Sequence, residues 1–198
     1  PAEGTIAFQA EDRSHIVHKS DSTVSSYNDG DPMTVPKGTA HRRLNAMGGY
    51  SWRTGNQEIT YRFTVEKAGL YNIAFRAQQT WNEGSSSYRQ IRIDGEVPFR
   101  EMLEYAFPSD GNWYPRPLED PQGNPYRFYL SEGEHTLTLS VKICQYVTQA
   151  YNKAQTVIDG LSEAYRKILM ITSASPDPNY DYDLDKSVPN LLETFQGL

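Results

Sequence analysis

Four absences bound this chain of 198 residues: one cysteine, four histidines, no long apolar run and no surplus of positive charge. The lone Cys144 excludes an intramolecular disulfide, and with no His-Asn pattern around it the thiol reads as a small buried hydrophobe behind a strand. His15, His18, His41 and His135 are scattered and fit no zinc helix, so each takes a structural or surface role. No stretch approaches the roughly 20 apolar residues of a membrane helix. The net charge of −6 lacks the basic stripe of a nucleic-acid binder. Two thirds of that charge lies in residues 176–198, where Asp181, Asp183 and Asp185 alternate without the glycine turn of a calcium loop and read as a solvated connector. Phosphate-loop and Gly-x-Ser-x-Gly signatures are missing too. Glu101 with Glu104, or Glu119 with Asp120, would serve a glycosidase only at a defined gap across a cleft. The sequence therefore predicts a chain that is not an enzyme.

What is there is alternation. Ile59, Tyr61, Phe63 and Val65 sit between Thr60, Arg62, Thr64 and Glu66, the period-two pattern of a half-buried strand. Tyr71, Ile73, Phe75 and Ala77 continue it past the turn Lys67-Ala68-Gly69. Ile91 and Ile93 precede Asp94-Gly95, a type I′ hairpin signal. Phe128 and Leu130 run into a turn at 131–134, and Leu137, Leu139 and Val141 close the series. Thr5 to Glu11 reads as a first strand. Each run has a polar face that water can cover, so the pattern predicts a mainly β fold, two antiparallel sheets packed as a sandwich.

At Cys144 the period changes. Val147, Tyr151, Ala154, Ile158, Leu161, Tyr165 and Ile168 draw one stripe on an α-helix, apolar enough to require a packing partner, with Gly160 inside it. Ser187 and Pro189 predict a second, shorter helix carrying Leu191, Leu192 and Phe195. Two domains follow: a sandwich over 1–143 and a helical extension over 144–198. Because the chain stops inside an amphipathic pattern with no cap, it is expected to be part of a longer, secreted protein.

Residues 98–127 hold six of the twelve prolines and read as a long functional loop. Trp52, Trp81 and Trp113 all fall at strand ends or turns. An indole there exposes costly apolar area unless it folds back as a lid or takes a ligand. Sugar C–H faces suit such rings, and Asn82, Glu83, Arg89, Asp110 and Asn112 stand near enough in sequence to pair with hydroxyls. The candidate ligand-binding residues are thus Trp52, Trp81, Asn82, Arg89, Asn112, Trp113 and Tyr114.

Phe8-Gln9-Ala10-Glu11-Asp12, the run from Phe63 to Tyr71, Ile91-Arg92-Ile93-Asp94-Gly95 and the run from Leu130 to His135 together resemble jelly-roll carbohydrate-binding modules of families 6 and 35, over residues 5–143. The resemblance implies sugar binding among loop-end aromatics or on a concave sheet face. It also implies a structural calcium at a Glu-Ala-Glu motif, here Gln9 and Glu11, although Lys142-Ile143-Cys144 supplies no closing acid. The run from Tyr165 to Thr172, with Pro176-Asp177, Asp181-Tyr182 and Val188-Pro189, resembles the segment after such a module in large extracellular solute-binding proteins of bacterial sugar transporters. The expected function is non-catalytic carbohydrate binding within a larger sugar-capture protein, fused to further domains and not membrane-spanning. The alternatives are a structural or protein-interaction sandwich without sugar binding, and a glycan-active enzyme fragment.

Overall fold

The computed structural model describes residues 4–37, 44–80, 83–188 and 193. The chain divides into two compact units, Pro1–Ile143 and Cys144–Leu198.

The first unit is built on antiparallel strands: β1 (Ile16–Lys19), β2 (Ser26–Tyr27), β3 (Ala46–Met47), β4 (Glu58–Val65), β5 (Gly69–Tyr71), β6 (Ala74–Gln79), β7 (Ser87–Ile93), β8 (Tyr105–Phe107), β9 (Asp110–Pro117), β10 (Phe128–Leu130) and β11 (Gly133–Lys142). Five of them form one sheet in the order β1-β4-β11-β7-β8. The ribbons β5–β10 and β6–β9 face it, and β2–β3 makes a third short ribbon. Inward residues of the large sheet, Ile59, Tyr61, Ile91, Phe107, Leu137 and Leu139, meet Phe128, Leu118, Phe75 and Ala77 in one core. Burying each large aliphatic or aromatic side chain contributes about 1.5–3 kcal/mol, so this shared layer holds the two faces together.

Local chemistry explains the register. Asp94 and Gly95 both adopt positive φ, 52° and 84°, as a type I′ turn requires. Ile93 and Glu96 exchange backbone bonds of 2.8 and 3.0 Å across it. β11 is the central strand and is buried on both faces. Its outward Thr138 and Ser140 lie out of water because they are paired: Thr138 Oγ1 lies 2.9 Å from Thr60 Oγ1, and the Ser140 hydroxyl donates to Glu58 at 2.7 Å.

Three expectations change. Thr5 to Glu11 is no strand, because the chain turns there, with the Asp12 N–H donating to the Gln9 carbonyl at 3.0 Å; the first strand starts at Ile16. The run from Tyr71 to Ala77 breaks in two, since β5 pairs with β10 whereas β6 pairs with β9. Residues 98–127 are not one loop but contain a 3₁₀ turn (Arg100–Leu103), β8 and β9. Prolines survive in β9 because among the described residues it has a ladder partner on one side alone, so a missing N–H on the open edge costs little.

In the second unit α1 (Gln145–Thr172) follows the predicted stripe and ends at Ser173, whose N–H caps the Leu169 carbonyl at 2.9 Å. Val147, Tyr151, Ile158 and Tyr165 are each more than half exposed, so the stripe is largely uncovered. Cys144 is half-buried rather than buried. A single helical turn, α2 (Leu184–Ser187), precedes the predicted second helix; Leu191, Leu192 and Phe195 lie outside the described residues. Among the described residues no helix is long and apolar enough to cross a membrane.

Candidate functional site

The ribbon strand β9 carries Asp110, Asn112, Trp113, Tyr114 and Arg116 within eight residues. It pairs antiparallel with β6, Phe75 opposite Arg116 and Ala77 opposite Tyr114, and the register shifts between Ala77 and Gln79. The shift puts extra residues of β9 opposite β6, and a bulge of this kind re-aims side chains. Asp110 anchors the strand: its carboxylate accepts the Asn112 N–H at 3.0 Å and the Arg116 guanidinium at 2.7 Å. The Asn112 N–H foremost, with Arg116 adding its bond and charge, holds the Asp110 carboxyl below the usual carboxylate range. Arg116 lies 5.8 Å from the centre of the Tyr114 ring, and both Tyr114 and Asn112 are exposed. Trp113, next to Tyr114 in the chain, turns elsewhere: its indole N–H donates to Asp29 Oδ2 at 2.9 Å.

Trp52 and Arg89 form a different assembly. Trp52 packs against the core and its indole N–H donates to the Gln57 carbonyl at 3.3 Å. Arg89, on β7 opposite Val141 and Tyr105, sets its guanidinium 4.9 Å from the centre of the Trp52 ring and donates to the Trp52 carbonyl at 3.1 Å. Burial lowers the Arg89 guanidinium to about 10, within the range in which it stays charged at neutral pH. This is the lid arrangement, an indole closed over the core with a cation against it. Trp81 and Asn82 lie outside the described residues.

Gln9 and Glu11, read for calcium, line an open cleft of about 420 Å³ with Asp12, Arg13, Pro36 and Leu44. Calcium takes six to eight oxygens. The side chains at hand offer two carboxylates and one amide, with the cation Arg13 beside them, and among the described residues no three His, Cys, Asp or Glu side chains converge as a metal-holding group.

Sequence reasoning missed Arg116 and Asp29. Arg116 stands two residues after Tyr114, a period-two signal hidden because prolines 115 and 117 read as loop. Asp29 lies 84 positions from Trp113, and no local pattern links them.

No family model and no curated protein matches this chain. Among solved structures it is similar to a Paenibacillus sp. cycloisomaltooligosaccharide glucanotransferase complexed with cycloisomaltoheptaose, at 18% identity and a TM-score of 0.43, over 67% of this chain and 15% of that one. It is also similar to a family 35 carbohydrate-binding module from an environmental isolate, at 13% identity and a TM-score of 0.35, over 62% of this chain and 78% of that one. A family 35 module from Clostridium thermocellum overlaps at 14% identity and a TM-score of 0.31, over 46% of this chain and 70% of that one. The overlaps are partial, and the functional reading rests on the chain's own side chains.

Proposed function

We propose that this chain is a non-catalytic carbohydrate-binding module of a larger extracellular bacterial sugar-capture protein, and that it takes its sugar on β9. One observation carries the reading: within eight residues β9 supplies two aromatic rings, an exposed amide and a carboxylate–guanidinium pair already fixed at 2.7 Å. Rings of this kind stack on the C–H faces of a sugar while the polar groups pair with its hydroxyls.

The test is a glycan array probed with the wild type and with Trp113→Ala. A stacking ring that meets the sugar is worth about 2 kcal/mol, so the variant should lose roughly 30-fold in affinity. Trp113 is only half-buried, so the melting temperature should fall by no more than about 5 °C. Unaltered affinity would remove β9 as the site. A protein-interaction sandwich is the second reading, favoured by the uncovered stripe of α1, where Tyr151 is 66% and Tyr165 62% exposed. An array on which the wild type retains no glycan would leave that reading standing.

A further inference from the structure

The geometry points to Asp29 as the residue that orients Trp113 for sugar binding, an inference that rests on the reading of β9 as the binding strand. Trp113 alone would be free to rotate about two side-chain torsions. Its indole N–H is instead spent on Asp29 Oδ2 at 2.9 Å, which leaves the ring a pure stacking surface with its plane fixed.

Asp29 is itself held on every side. Its other carboxylate oxygen accepts the Asp31 N–H at 2.9 Å. Its backbone N–H donates to Asn45 Oδ1 at 2.7 Å, and its carbonyl accepts Asn45 Nδ2 at 3.0 Å. Asn45 is buried to 3% exposure, bonds the Pro36 carbonyl at 2.8 Å, and is fixed by its own N–H to the Tyr27 carbonyl at 3.0 Å. A buried amide that satisfies both backbone groups of one residue acts as a strand partner for it. The same loop is tied to the ribbon a second time, by Arg76 of β6 donating to the Met33 carbonyl. Asp29 is thus a fixed post against which the indole is set, whereas a free side chain would have to be ordered when the sugar arrives. Pre-ordering one such side chain is worth roughly three- to tenfold in affinity.

The experiment measures glycan affinity in the wild type and five variants, and hydrogen exchange of the Trp113 indole N–H in the three proteins that keep both the indole and a residue-29 comparison: the wild type, Asp29→Ser and Asp29→Asn. Asp29→Ser keeps a hydroxyl for the Asp31 turn and is too short to reach the indole; it should lose affinity roughly three- to tenfold and speed the exchange. Asp29→Asn has one acceptor oxygen for the two N–H donors that the carboxylate serves, so its loss should fall between the wild type and Asp29→Ser. Trp113→Phe lacks the N–H, so adding Asp29→Ser to it should cost nothing further. Equal loss from Asp29→Ser in both backgrounds, or unchanged exchange in Asp29→Ser, overturns the orienting role while leaving β9 as the site. Wild-type affinity in Trp113→Ala overturns the site and the orienting role together.

Discussion

His135 should make the sandwich less stable as the pH rises past neutrality. The ring is 7% exposed, and both of its nitrogens face acceptors: Nδ1 lies 2.7 Å from Asp94 Oδ2, and Nε2 lies 2.9 Å from the Ser131 carbonyl. An imidazolium donates to both, but neutral imidazole has one proton and can donate to only one of them. Burial of the ring opposes the charge, yet the Asp94 bond, the Ser131 carbonyl and the charge of Asp94 together outweigh it and raise His135 above its ordinary 6.5. Because the folded value is the higher one, the stabilisation is complete below about 6.5 and is lost as the pH climbs through the raised value. Asp94 limits the other side. Burial pushes it up, but the Thr136 N–H and His135 prevail and lower it from 3.8, so its contribution is lost as the pH falls through that lowered value. Two bonds to charged groups would stabilise by about 3 kcal/mol or more if fully buried, but Asp94 is half exposed, which reduces the sum to about 1–2 kcal/mol. His135→Phe should then lower the melting temperature by roughly 3–8 °C at pH 6, and the gap should narrow by about half at pH 9, where the wild type has lost its charge. Melting curves by circular dichroism from pH 5 to 9, with the ring titrated by NMR, decide it. Parallel profiles for the two proteins, or a His135 ring that titrates at or below 6.5, would refute the reasoning.

Calcium held at Gln9 and Glu11 would bind the folded chain alone and add about 2.7 kcal/mol at 100 times its dissociation constant. A rise in melting temperature on adding calcium, reversed by chelator, supports that ion, and the same temperature in both buffers removes it. Truncation after Ile143, at the boundary between the compact units, should leave glycan affinity within about twofold of the full chain. Loss of binding by a folded, monomeric truncation would move the site onto the helical unit.

Strand positions were legible because their signal is local. Ile59 to Val65 alternate strictly, and Asp94-Gly95 is the residue pair that a two-residue hairpin needs, so β4 and the β7 turn follow from neighbours in the chain. Partners are a different matter. Nothing in the run from Tyr71 to Ala77 says that its halves pair with separate strands, one with Phe128–Leu130 and the other with Asp110–Pro117. Composition misled at β9 for a physical reason: proline is counted against a strand, yet on a ribbon edge the lost donor faces water and the penalty disappears.

The same distinction divides the candidate site. Trp52, Arg89, Asn112, Trp113 and Tyr114 stood out as residue types, but their roles depend on contacts made across the fold. Arg89 closes on Trp52 from 37 positions away and turns it into a lid, while Asp29 reaches Trp113 across 84. Had Trp113 been a lid like Trp52, its ring would have been enclosed by the core; instead its one polar atom is tied at the rim of the ribbon, next to the exposed Tyr114 and Asn112. Both indoles are tied through their N–H, to the Gln57 carbonyl and to Asp29, so the difference lies in the ring: that of Trp52 packs against the core and beside the Arg89 guanidinium. That difference in contact separates two tryptophans that the sequence presents alike.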